Sequence, residues 1–113
     1  MAIDEQTFGR VADETLRRTA AALEDADDNL EVDLEDGVLS IETSDGATFL
    51  LNKHAPTRQL WLSSPISGAT HYEYDAAGGH WVSTRRGDAL HVVLSRDLAQ
   101  AARVSVTFGE TEG

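Results

Sequence analysis

Between residues 24 and 36 the chain carries eight carboxylates and no basic side chain: Glu24, Asp25, Asp27, Asp28, Glu31, Asp33, Glu35 and Asp36. Asp13 and Glu14 lie upstream of them. Carboxylates unaccompanied by Cys or clustered His suit hard, oxygen-loving cations, among them iron, Ca²⁺, Mg²⁺ and Mn²⁺. A run of like charge is also what an ordinary solvated face looks like, and composition does not name a metal. Other chemistries find little support. Cysteine is absent, which removes disulfides, thiolate metal sites and cysteinyl ligation of an iron–sulfur cluster. His54, His71, His80 and His91 fall on four separate elements, where scattered surface histidine is the default. No spacing marks a zinc site, a phosphate-cradling loop or a nucleophile elbow.

A second group of residues is chemically distinctive for what it exposes. In Gln59-Leu60-Trp61-Leu62, strand alternation sends the two leucines to one face and Gln59 and Trp61 to the other. If the leucines face the core, a large indole stands outside beside Asn52 and Gln59. Trp, Asn and Gln together resemble the centre of a protein interface more than a solvated sheet surface. The plain alternative is that the ring packs beneath a loop such as Pro65-Ile66-Ser67-Gly68.

The elements that must position these groups follow from periodicity. Residues 4–26 read as an amphipathic helix with Asp4 as N-cap, its buried stripe running through Phe8, Val11, Ala12, Thr15, Leu16, Thr19, Leu23 and Ala26. The opposite face carries Asp13, Glu14, Arg17, Ala21, Glu24, Asp25 and Asp28, and Arg17 lies one turn from Asp13, able to pair with it. Residues 30–35 alternate into Asp36-Gly37, a two-residue type I′ signal, and return through residues 38–43. That register pairs Leu34 with Leu39 and Val32 with Ile41 inward, and sets Glu31 opposite Glu42 outward, where like charges repel. Ser44-Asp45-Gly46 makes the next hairpin, aligning Phe49 with Ile41 and Leu51 with Leu39. Leu50 and Asn52 then share the outer face with Trp61. Residues 70–75 and 80–84 form a further hairpin, with Tyr72, Tyr74 and Trp81 facing the core. Residues 88–102 read as a second helix capped by Asp88, with Leu90, Val93, Leu94, Leu98 and Ala101 buried. The tail, residues 103–108, is expected to lie against the helices as a lid or an added edge strand, with frayed residues after it.

The bulk properties bound the reading. The chain has 113 residues and a formal net charge of −11, so it suits one modest domain whose surface repels nucleic acid and anionic membranes and favours cations or basic protein patches. No apolar run is long enough to span a bilayer. The start lacks a basic, acid-poor presequence, so a bacterial cytoplasm is expected, or a mitochondrial matrix for a matured eukaryotic form.

The stretch Asn52-Lys53-x-x-Pro56-x-x-Gln59-Leu60-Trp61-Leu62-Ser63-Ser64-Pro65-x-Ser67-Gly68 resembles the central signature of frataxins, and the resemblance extends from about Phe8 to Val106. It implies an α+β fold over a single domain, residues 1–113: two helices packed on one face of a twisted antiparallel sheet of five or six strands. It implies iron, Fe²⁺ or Fe³⁺, bound weakly along an acidic ridge whose matching residues are Asp13, Glu14, Glu24, Asp25, Asp27, Asp28, Glu31 and Asp33. Arg17, Arg18, Ala20 and Ala21 interrupt that ridge in mid-helix, shifting any affinity toward Glu24 through Asp33. It further implies contact with a cysteine desulfurase and its iron–sulfur scaffold protein through Asn52, His54, Gln59, Trp61 and His71. The implied role is regulation of iron–sulfur cluster assembly by a monomer that can oligomerise with iron. Two alternatives are a ferroxidase or iron-storage activity, and an acidic interaction domain without a metal role.

Overall fold

Turn chemistry and alternation build a six-stranded meander. The computed structural model describes residues 3–103. The chain runs α1 (Glu5–Ala26), β1 (Glu31–Glu35), β2 (Val38–Glu42), β3 (Thr48–His54), a single 3₁₀ turn (Ala55–Thr57), β4 (Gln59–Ser64), β5 (Gly68–Asp75), β6 (His80–Ser83) and α2 (Leu90–Ala102). The strands form one antiparallel sheet in the order β1-β2-β3-β4-β5-β6, the order short hairpin loops produce.

Each hairpin takes the register its turn residues demand. Asp36 and Gly37 both adopt positive φ, 54° and 78°, as a type I′ turn requires, and Leu34 meets Leu39, Val32 meets Ile41 and Glu31 meets Glu42. At the next loop Gly46 has φ 92°. The Thr43 hydroxyl donates to Asp45 at 2.6 Å and accepts from the Ala47 amide at 3.0 Å. Phe49 is thereby set against Ile41 and Leu51 against Leu39.

Both helices cover one face of this sheet. Phe8, Leu16 and Leu23 of α1, and Leu90, Leu94 and Leu98 of α2, join Leu39, Ile41, Phe49, Leu51, Leu60, Leu62, Tyr72 and Trp81 in a single core. Trp81 is sealed there; its Nε1 donates to Thr15 at 2.9 Å and its ring meets Phe8 and Tyr74 edge-on. Ala20 is also in the core, so it was never a surface position, whereas Ala26 at the end of the expected stripe is exposed.

Two expectations about the second helix change. It begins at Leu90 with Ala89 at the N-cap and no side-chain cap. Asp88 does not cap it: its carbonyl accepts the Ser83 amide at 2.7 Å, which fastens the end of β6 instead. The buried stripe also includes Asp97, fully inaccessible. Its Oδ2 accepts from Ser64 at 2.8 Å and Ser67 at 2.5 Å, and Arg96 lies 3.4 Å from its Oδ1. Ser64 in turn accepts the amides of Ile66 and Ser67, so the Ser-Pro-Ile-Ser turn after β4 is pinned to α2. A carboxylate withdrawn from water needs such donors. Of the tail expected over residues 103–108 as a lid or an added edge, only Arg103, the C-cap of α2, is among the described residues. Among the described residues, no helix is long and apolar enough to cross a membrane.

Candidate functional site: an outward indole beside an acidic edge

The face of the sheet opposite the helices carries the candidate site. Pairing across the strands places Glu35, Val38, Asn52, Trp61 and His71 in one row spanning β1 to β5. The adjoining row holds Asp33, Ser40, Leu50, Ser63 and Ala69. Val38 and Leu50 are each 40% exposed, so the indole has apolar neighbours on the same accessible surface.

Trp61 is held outward rather than folded under a loop. The His54 ring stacks on one face at a centroid distance of 3.7 Å and 13°, and the His71 ring on the other at 4.2 Å and 10°. The indole Nε1 donates to Gln59 Oε1 at 2.8 Å. Gln59 also accepts from Thr57 at 3.2 Å and donates to Glu73 at 3.3 Å, while His54 Nδ1 meets the Thr57 hydroxyl at 2.8 Å. Asn52, directly opposite Trp61, is turned aside to the Lys53 carbonyl at 3.3 Å. All five residues expected at a partner surface are thus brought together. His71 reaches the ring by direct cross-strand pairing. His54 reaches it diagonally, because the 3₁₀ turn and the left-handed Arg58, φ 55°, carry the chain from β3 into β4.

The expected ridge divides into two parts. On α1, Asp13 and Glu14 are already engaged: Lys53 Nζ lies 2.7 Å from Asp13, and Arg18 lies 3.0 Å from Glu14. The partner of Asp13 is therefore Lys53 of the sheet rather than Arg17, because the lysine stem crosses the Asp36-Gly37 turn, its Cε 3.2 Å from where a Gly37 Cβ would stand. Glu24, Asp25 and Asp28 are exposed at and after the end of α1, and Glu31 and Asp33 are exposed along β1. Asp27 has a local duty as well, since its Oδ1 accepts the Asn29 amide at 2.7 Å in the turn that leaves the helix. Among the described residues no three His, Asp or Glu converge to hold a metal ion. A cation held here would take oxygen from few carboxylates and complete its shell with water. Glu35, which the signature did not select, sits in the same row as Trp61; alternation through β1 was the signal for it.

Two exposed carboxyls are held below their ordinary range by donors. The Thr7 amide and hydroxyl do this for Asp4, and the Thr43 hydroxyl does it for Asp45. Both are turn and cap groups rather than members of the site.

The frataxin-like domain family matches residues 1–104. The chain is 39% identical over 112 residues to an iron-sulfur cluster assembly protein CyaY of Azotobacter vinelandii, covering 97% of this chain and 99% of that protein. A CyaY of Ralstonia nicotianae is 34% identical over 110 residues, covering 94% and 95%. Among solved structures, a frataxin from Psychromonas ingrahamii superposes with a TM-score of 0.85 over 95% of this chain and 99% of that one, at 22% identity, which speaks to the fold. A trimeric frataxin of Saccharomyces cerevisiae, crystallised in a ferrous complex, matches with a TM-score of 0.71 and 30% identity over 91% of this chain and 89% of that one.

Proposed function

The chain belongs to the frataxin family, and on that footing we propose that it is an iron-binding regulator of iron–sulfur cluster assembly that docks on a cysteine desulfurase–scaffold complex. The observation that carries this reading is the clamped, outward Trp61 in one row with Glu35. A rigid indole with apolar neighbours is the kind of anchor that dominates a protein interface. A flanking acidic edge steers and registers a basic partner.

Fe²⁺ is cargo in this reading, held by the exposed carboxylates Glu24, Asp25, Asp28, Glu31 and Asp33. With carboxylates exposed along a helix end and a strand edge, such binding is shallow, exchangeable and open to other divalent cations, which suits delivery or sensing better than storage. Oxidation of iron would need neighbouring iron sites, and the exposed Ala21 and the ion-paired Asp13 and Glu14 leave mid-helix poorly furnished for them.

One alternative has a specific observation behind it. With Asp13 paired to Lys53 and Glu14 to Arg18, the remaining acids could serve only to attract a basic partner, with no metal role.

The deciding experiment is a binding titration against a desulfurase–scaffold pair, with and without Fe²⁺, read alongside amide chemical shifts of residues 24–36. Association that requires Trp61, with iron-dependent shifts along β1, supports the proposal. Association without any shift on adding Fe²⁺ leaves the metal-free reading, and no association removes both.

A further inference from the structure

Three of the nine basic side chains of this strongly acidic chain gather around one small cavity on the helix-covered side of the molecule, away from the Trp61 face. The cavity, about 100 Å³, lies between β5, the loop of residues 84–88 and α2. Arg85, Arg86, Arg96, Asp88, Thr70 and Tyr72 contribute to its lining. The loop is shaped to present its two arginines: Ser83 Oγ accepts the amides of both Arg85 and Arg86 at 3.2 Å, and Gly87 takes φ 77°.

An independent observation comes from the wall of the cavity. Tyr72 is fully buried, yet its hydroxyl has no hydrogen-bond partner. Thr70 lies beside it and offsets part of the effect of burial, but no bond of adequate geometry forms between them. Burial first, and then the Asp88 and Asp97 charges, push the phenol up to about 12, so at neutral pH it keeps its proton and remains a donor. An orphaned buried hydroxyl is costly and calls for an acceptor in the adjoining space. Asp97 is already satisfied by Ser64 and Ser67, while Arg85 and Arg86 form no ion pair among the described residues.

We propose that this cavity binds a phosphate-class oxyanion, with the Arg85 and Arg86 guanidinium groups and the Tyr72 hydroxyl as donors and Arg96 contributing charge. Planar guanidinium forks match the oxygen pairs of phosphate. A space of about 100 Å³ suits the ion itself or the phosphate of a monoester whose remainder stays in solvent. The site is independent of the acidic edge and of the function proposed above.

The test uses the full-length, metal-free protein, with inorganic phosphate and glycerol phosphate as probes and chloride at matched ionic strength as the reference. Saturating amide shifts confined to residues 67–72, 83–88 and 93–97 are expected with phosphate but not with chloride. Arg85→Gln/Arg86→Gln should weaken binding by about tenfold or more, since it removes two charged donors at once. Tyr72→Phe should weaken it too while folding normally, because it removes a hydroxyl that has no partner. Equal binding of the two probes identifies a site that reads a phosphate group on a larger molecule; binding of phosphate alone identifies a site for the free ion. Shifts that are scattered or match those in chloride, or affinity unchanged in the double-arginine variant, would overturn the proposal.

Discussion

Lys53 of β3 places its ammonium 2.7 Å from the Asp13 carboxylate of α1, a contact between residues 40 apart in the chain. The second residue of the Asn-Lys signature therefore ties the sheet to the helix and, in doing so, neutralises an acid of the expected ridge. Both side chains are partly exposed, 28% and 48%, so solvent screens the pair. Lys53→Met should cost only about 0.5–1 kcal/mol in urea denaturation. It should also strengthen divalent-cation binding near Asp13, read from the amide shifts of residues 10–17. A variant as stable as the parent, with unchanged cation response, would show that the contact does neither.

Trp61→Ala should remove two ring stacks and one hydrogen bond, costing about 1–2 kcal/mol of stability. Partner binding should fall by about 2 kcal/mol or more, as for buried aromatic anchors. Trp61→Phe should keep most of the stacking while losing the donor to Gln59. A stability loss of about 3–5 kcal/mol for the alanine variant, the range for a core aromatic, would place the ring with Trp81 rather than on the docking face.

Glu31 faces Glu42 directly across β1 and β2. Neutralising one of them by Glu31→Gln should stabilise the metal-free protein by a few tenths, about 0.2–0.5 kcal/mol, at low salt. The gain should shrink as salt screens the repulsion. Stability that falls on substitution, in denaturation at two ionic strengths, would contradict a repulsive pair.

Asp4 caps α1 by accepting the Thr7 amide at 2.7 Å, and that bond lowers its pKa below the ordinary 3.8. A carboxyl whose folded-state value is depressed contributes stability above its unfolded value. That contribution is lost as pH falls through the folded one, because the unfolded chain binds the proton first. Asp4→Asn retains a capping oxygen but no longer titrates. Its stability at neutral pH should change little, and its acid limb should be shallower when melting is followed down through the carboxylate range. An unchanged limb would mean that other carboxyls, Asp45 among them, dominate acid unfolding.

Much of the architecture is legible locally. Asp36-Gly37 and Gly46 dictate turns of known register, and period-two alternation then carries Trp61, Asn52 and Leu50 to one face without any tertiary information. What escapes is side-chain choice among competing partners. Arg17 is near Asp13 in sequence, but Lys53 reaches it through space because the Asp36-Gly37 turn folds beneath its stem. Asp88 has the right type for a cap, yet its carbonyl is drawn to Ser83 and the helix starts two residues later. Asp97 was accessible to reasoning: it falls on the helical stripe of Leu90, Val93, Leu94 and Leu98, and a carboxylate there announces buried donors, which Ser64 and Ser67 supply. The Tyr72 cavity has no sequence motif, since its walls come from two strands, a loop and a helix.

The sequential order of the strands bears on how the molecule is made. Every strand pairs with the one synthesised just before it, so each closure within the sheet spans only a short loop and incurs little entropy. The ties between sheet and helices reach further along the chain, among them Lys53 to Asp13, 40 residues apart, and the clasp between Trp81 and Thr15, 66 residues apart. A nascent chain halted before Trp81 would hold its first helix over an incomplete floor, which the arrival of that indole completes.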